Sequence, residues 1–150
     1  MKRIICIILA FFALFTATAS ADGYFILCKP KSSVNARISA RKRAETVGWY
    51  DCGDYVETDG KTRNGFAHIV NCSLEVNEAW ISMRYLVKDK PVICEIKTVI
   101  IGSGRVAARG WVNGRRIAWL KPGQEVTVFA ITEEWCVTDR GYIRTEFLGV

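Results

Sequence analysis

A single histidine, His68, three prolines and two methionines are all that this 150-residue chain holds of those types. One histidine leaves no histidine pair for zinc, and no C-x-x-C occurs to hold a metal through thiolates. Neither G-x-S-x-G nor H-E-x-x-H is present, so two common hydrolase constellations are missing. A Cys–His nucleophile would have to use His68, which sits in the strand-like run Phe66–Val70, where a lone histidine reads as structural or solvent-facing. Glu133 and Glu134 are adjacent, so on a strand they point to opposite faces and cannot act as a pair. The expectation is a protein that is not an enzyme and uses no cofactor and no metal. Helix signals are scarce. Beyond the N-terminus no apolar run approaches the roughly 20 residues needed to span a bilayer.

What is present begins with an export signal. Met1-Lys2-Arg3 is basic, Ile4–Phe15 is an apolar run of twelve, and Thr16–Ala21 is small and ends in Ala19-Ser20-Ala21. This order reads as a secretory signal peptide over residues 1–21, with a small-residue cleavage site. The expected location is secreted or cell-envelope associated, periplasmic where an outer membrane exists. No cysteine follows the small residues as a lipid attachment point, and no transmembrane segment is expected after cleavage. Without Lys2 and Arg3, the twenty-one basic residues fall to nineteen against fifteen acids, a net +4. A mild excess of this kind favours anionic surfaces. It is small for a nucleic-acid binder, and export argues against that partner.

The remainder reads as all-β. Apolar residues alternate in short runs such as Glu125–Ile131, rich in Val, Ile, Thr and aromatics. Turn pairs separate them: Asp59-Gly60, Asn64-Gly65, Asn113-Gly114 and Pro122-Gly123. The chain also repeats itself. Val34–Arg37 matches Val106–Arg109 at an offset of 72, Tyr50–Val56 matches Leu120–Val126 at 70, and Trp80–Leu86 matches Tyr142–Leu148 at 62. The offset falls because the first copy carries longer loops, chiefly Asn71–Asn77.

The order of features in each copy resembles the bacterial SH3 family. In the second copy, Val106–Arg109 stands for the opening strand end, Leu120–Gly123 for the diverging turn and Val126-Thr127-Val128 for the alternating strand. Glu134–Val137, Gly141-Tyr142-Ile143 and Phe147-Leu148 follow. The first copy matches with Val34–Arg37, Tyr50–Gly53, Gly65-Phe66, Trp80-Ile81 and Tyr85-Leu86, departing at Phe66 and Ala79 where the family has Trp and Gly. The resemblance implies two small SH3-like β-barrels in tandem, placed at 22–88 and 89–150 across the polar link Lys88–Pro91. Barrels of roughly 60 residues bury only about 60% of their unfolded surface and need large side chains or staples.

The resemblance further implies a non-catalytic module that binds peptidoglycan peptides or other cell-envelope polymers. The alternative is a secreted or periplasmic adaptor that binds another protein. Flat rings suit shallow peptide grooves. The candidates near loops are Trp49, Tyr50, Tyr55 and Trp80 in the first copy, and Trp111, Trp119, Trp135 and Tyr142 in the second, although small barrels also spend aromatics on their cores. Basic clusters Arg41-Lys42-Arg43 and Arg115-Arg116 follow the opening strand of each copy and suit the carboxylates or phosphates of wall polymers.

Cys6 leaves with the signal, and five cysteines follow: Cys28, Cys52, Cys72, Cys94 and Cys136. Export permits disulfides, and the odd count leaves one thiol over. A hairpin of Gly53–Thr58 against Gly65–Val70, turning over Asp59 to Arg63 or Asn64, makes opposed residues sum to 122 and, with one bulge or a slightly wider loop, brings Cys52 opposite Cys72. Such a staple would stabilise by about 3 kcal/mol. In an SH3-like barrel the first and last strands run close together, which implies Cys28–Cys94 as a second pair and Cys136 as a buried thiol. The rival assignment joins Cys94 to Cys136.

Overall fold

Short alternating runs punctuated by turn residues fold as thirteen strands, and the computed structural model describes residues 21–70, 74, 76 and 78–150. The strands are β1 Asp22–Ile26, β2 Val34–Arg37, β3 Thr46–Tyr50, β4 Tyr55–Arg63, β5 Phe66–Val70, β6 Glu78–Ser82, β7 Leu86–Val87, β8 Val92–Val99, β9 Val106–Arg109, β10 Arg116–Leu120, β11 Glu125–Ile131, β12 Trp135–Thr138 and β13 Gly141–Arg144. No α-helix occurs among the described residues, only 3₁₀ turns at Met83–Tyr85 and Thr145–Phe147. The expected signal peptide lies almost wholly outside the described residues.

The strands form two antiparallel sheets, ordered β3-β2-β6-β5-β4-β1-β7 and β10-β9-β13-β12-β11-β8. Apart from β7, the second order repeats the first. The turns repeat too. Gly53 N–H donates to the Ile26 carbonyl at 2.8 Å and Ile26 N–H to Asp54 at 2.8 Å; Gly123 donates to Ile100 at 2.7 Å and Ile100 to Gln124 at 2.9 Å. The Arg37 guanidinium donates to the Ala44 carbonyl at 2.7 Å, as that of Arg109 does to Gly114 at 2.7 Å. Leu27 N–H reaches the Tyr85 carbonyl, and Ile101 N–H reaches Phe147. The internal repeat in the sequence is therefore a repeat of strand order and of turn hydrogen bonding. Strands of the first sheet end at Val87, and those of the second begin at Val92.

Each sheet wraps its own apolar cluster. Val34, Ala36, Tyr50, Val56, Ile69 and Ile81 lie in the first, and Val106, Ala108, Leu120, Val126, Val128 and Ile143 in the second. Alternation produces this: on β11 the buried Val126, Val128 and Ala130 interleave with half-buried Thr127, Phe129 and Ile131. A third cluster joins the two sheets through Leu27, Val87, Ala130, Trp135, Val137 and Tyr142.

The first hairpin departs from its expected register. β4 runs on to Arg63, and the turn is the two-residue pair Asn64-Gly65, with φ of 52° and 77°. Positive φ at both positions makes the type I′ geometry that matches strand twist and that Asn-Gly favours. Arg63 therefore faces Phe66 and Thr62 faces Ala67; a bulge then shifts the pairing so that Thr58 faces Ile69. Cys52 lies before β4 rather than on it, and Cys72 lies outside the described residues.

Candidate functional site

Where β2, the loop after it, the Asn64-Gly65 turn and the end of β6 converge, a groove of about 350 Å³ opens on the first sheet. The side chain of Asn64 donates to the Ala40 carbonyl at 3.1 Å and ties the loop to the turn. Met83 N–H donates to the Gly65 carbonyl at 3.0 Å and ties the turn to the 3₁₀ segment. Arg37 braces the loop from below through Ala44. Three cations, Arg37, Lys42 and Arg84, line the groove beside Ser33, Asn35, Asn64, Ser82, Phe66 and Tyr85, and no carboxylate is among the lining residues. The arrangement offers cationic and amide donors and two aromatic faces to an anionic, extended ligand.

Trp49 flanks this groove. It is the strand partner of Asn35 across β2 and β3, so both side chains lie on one face of the sheet. Its ring is 66% exposed. Trp119, at the matching place on β10, is 49% exposed, with the Arg116 guanidinium 4.3 Å from its ring centre. Trp111 is half-buried beneath the Arg84 guanidinium, 4.1 Å away, and so joins the groove's edge to the second sheet.

Other candidates divide clearly. Tyr50, Trp135 and Tyr142 are buried, so they offer no ligand surface; they fill the first core and the contact between the sheets instead. Trp80 is half-buried, its ring 4.8 Å from that of His68. Tyr55 is exposed but packs on Phe25 at 5.4 Å, away from the groove-lining set. Arg41, Lys42 and Arg43 are all exposed on the loop after β2, and of these only Lys42 lines the groove. Arg115 and Arg116 are exposed on the loop before and the start of β10. Arg37, Asn64, Phe66, Arg84 and Tyr85 are site residues that the sequence does not single out. Arg37, Arg84 and Tyr85 lie in repeated segments, and Asn64 and Phe66 carry only the signal of the Asn64-Gly65 turn.

His68 is buried between two carboxylates, with Nδ1 at 2.9 Å from Asp59 and Nε2 at 3.2 Å from Glu78. Lys61 also reaches Asp59, at 2.8 Å. Hydrogen bonding from Lys61 first, and from His68 after it, holds the Asp59 carboxyl well below the usual carboxylate range.

Cys28, Cys52, Cys94 and Cys136 are free thiols. The expected Cys28–Cys94 pair is not made, because the two sit in different clusters: Cys28 in the first core and Cys94 against the second. Cys28 instead shares the first core with Cys52, and its thiol donates to the Ser32 carbonyl at 3.3 Å. Cys136 is fully buried.

No family model matches the chain, and no curated protein matches it. Among solved structures it is similar to NlpC1 from Trichomonas vaginalis, at 20% identity and a TM-score of 0.37 over 87% of this chain and 46% of that one. It is also similar to NlpC2 from the same organism, at 18% and 0.38 over 88% and 49%. The chain thus spans about half the length of either.

Proposed function

We propose that the chain is an exported, non-catalytic binding protein of two SH3-like barrels, which holds a carboxylate-bearing peptide or an anionic polymer of the cell envelope. The reading rests on the groove of the first sheet: Arg37, Lys42 and Arg84 surround it without a lining carboxylate, and exposed Trp49 stands beside Asn35 at its edge. Arg37, braced by the Ala44 carbonyl, and Arg84, stacked on Trp111, present charge-assisted donors, and a flat ring adds contact area at low entropic expense. The repeated strand order supports a duplicated module. Trp119 with Arg116 offers a second, weaker contact through which tandem engagement would gain avidity.

Sedimentation with purified sacculi, with and without their attached polymers, tests this. Binding should weaken with salt, as exposed charge pairs are screened. Lys42→Glu with Arg84→Glu should weaken it about ten-fold, the equivalent of one charge-assisted contact. Unchanged sedimentation of a folded double variant would remove the groove as the site. Absence of any binding to sacculi, with capture of a protein through the same residues, would favour the adaptor reading.

A further inference from the structure

Two thiols meet at the foot of the first sheet. Cys28 follows β1 and is 3% exposed, with its Sγ 3.3 Å from the Ser32 carbonyl. Cys52 lies in the turn between β3 and β4 and is half-buried. The paired bonds of Ile26 with Gly53 and Asp54, each 2.8 Å, clamp the two segments together. Cys28 lies in the first core, and Cys52 packs against that same cluster. A cavity of about 320 Å³ lined by Lys31, Ser32, Asp51, Cys52 and Ile93 opens over the pair, and Cys28 is not among its lining residues. One thiol is reached from outside and the other is not.

We propose that Cys28 and Cys52 form a dithiol/disulfide couple, in which Cys52 attacks small disulfides admitted by this cavity and Cys28 closes the bond from the core. In the first step the Cys52 thiolate attacks one sulfur of an oxidant R–S–S–R. A mixed disulfide Cys52–S–S–R forms and R–S⁻ departs, to be protonated. In the second, Cys28 gives up its proton and attacks the Cys52 sulfur. The Cys28–Cys52 bond forms and the second R–S⁻ leaves with that proton. Two protein thiols are oxidised and one disulfide is reduced to two thiols, a two-electron exchange.

The local chemistry suits these roles. The adjacent Cys28 thiol lowers that of Cys52, against the opposing effects of burial and of the Asp54 and Asp51 carboxylates. Cys28 is pushed the other way by Cys52 and by burial. Tyr142, whose hydroxyl is held protonated by burial, also feels both sulfurs. The couple is no by-product of the repeat: the matching positions in the second copy are Gly102 and Pro122. Cys94 and Cys136 are both raised by burial.

The test uses the whole purified chain, reduced and then treated briefly at neutral pH with a maleimide before peptide mass spectrometry. Cys52 should be labelled about ten-fold faster than Cys28, Cys94 or Cys136, as thiolate fraction and exposure dictate. Oxidised glutathione should then yield a Cys28–Cys52 cross-linked peptide in a non-reducing map of the wild type. Cys28→Ser should halt at the Cys52–glutathione adduct, and Cys52→Ser should give neither product. A wild-type map with Cys28 and Cys52 both unlinked after oxidation, or with Cys52 joined to Cys72, overturns the proposal whether or not the variants fold. Wall binding plays no part in this readout.

Discussion

The Tyr142 hydroxyl donates a 2.9 Å hydrogen bond to the backbone carbonyl of Leu27, joining the second sheet to the first at a fully buried point. Leu27 spends its own N–H on the Tyr85 carbonyl at 2.8 Å, so the residue is held from both sides. Burial keeps the Tyr142 hydroxyl protonated far above its ordinary range, which keeps it a donor. Tyr142→Phe should leave that carbonyl without a partner and destabilise by about 1–3 kcal/mol, the penalty for an orphaned buried acceptor. Urea denaturation followed by tryptophan fluorescence measures it. A broadened or two-step transition would show that this bond couples the sheets.

Tryptophans that resemble each other in sequence should behave oppositely. Trp135 is 2% exposed in the contact between the sheets, and Trp135→Ala should cost about 3–5 kcal/mol as a core truncation. Its indole N–H meets no protein acceptor, so Trp135→Phe should cost well under that. Trp49→Ala and Trp119→Ala, on exposed rings, should stay within about 0.5 kcal/mol of wild type. Equilibrium unfolding of the four variants separates these cases.

Gly141 opens β13 at a φ of 119°, and a Cβ there would lie 2.6 Å from the Arg109 carbonyl oxygen. Backbone cannot step aside as a flexible side chain does. Gly141→Ala combines left-handed strain with this clash and should cost about 1–3 kcal/mol at least. Gly60→Ala, at a φ of 79° with open space around it, carries the strain alone and should cost less. Paired thermal denaturation of the two variants gives the comparison.

Acid should weaken the first sheet through Asp59. Its carboxyl is depressed in the folded state, so the stability it contributes is complete above the ordinary aspartate value of about 3.9 and is lost as pH falls below it. Asp59→Asn should therefore lower the melting temperature at neutral pH. The gap from wild type should narrow steadily as pH falls below about 3.9, because protons bind the unfolded carboxyl first, and should close only as pH passes the depressed folded value. Melting curves across that range decide it; a gap constant with pH would assign the loss to packing.

Local chemistry was legible at the level of single elements. The β4–β5 turn shows how far that reached. Asn64-Gly65 is the strongest short hairpin signal in the chain, yet placing the turn over Asp59–Arg63 displaced the register, because it ended β4 five residues early. The bulge between Thr58 and Thr62 has no composition that announces it. The surroundings of Cys52 show the same limit: the clamp of Ile26 on Gly53 and Asp54 brings it to the core that holds Cys28, a meeting of distant segments that hairpin arithmetic does not reach, while Cys72 lies outside the described residues.

By itself the sequence determined the all-β class, the positions of most turns and the twofold recurrence of motifs, since period-two alternation and turn propensities act over a few residues. Only the tertiary structure decided which aromatics are core. Tyr142 and Leu27 stand 115 residues apart, and nothing in the alternation around either tells that β13 will press against the chain after β1. The groove is likewise assembled from β2, its loop, a hairpin turn and the end of β6, so Lys42 and Arg84 become neighbours across a shared surface rather than along the chain. Burial and charge clustering of this kind depend on sheet order and closure, which are set by long-range contacts and not by any local pattern.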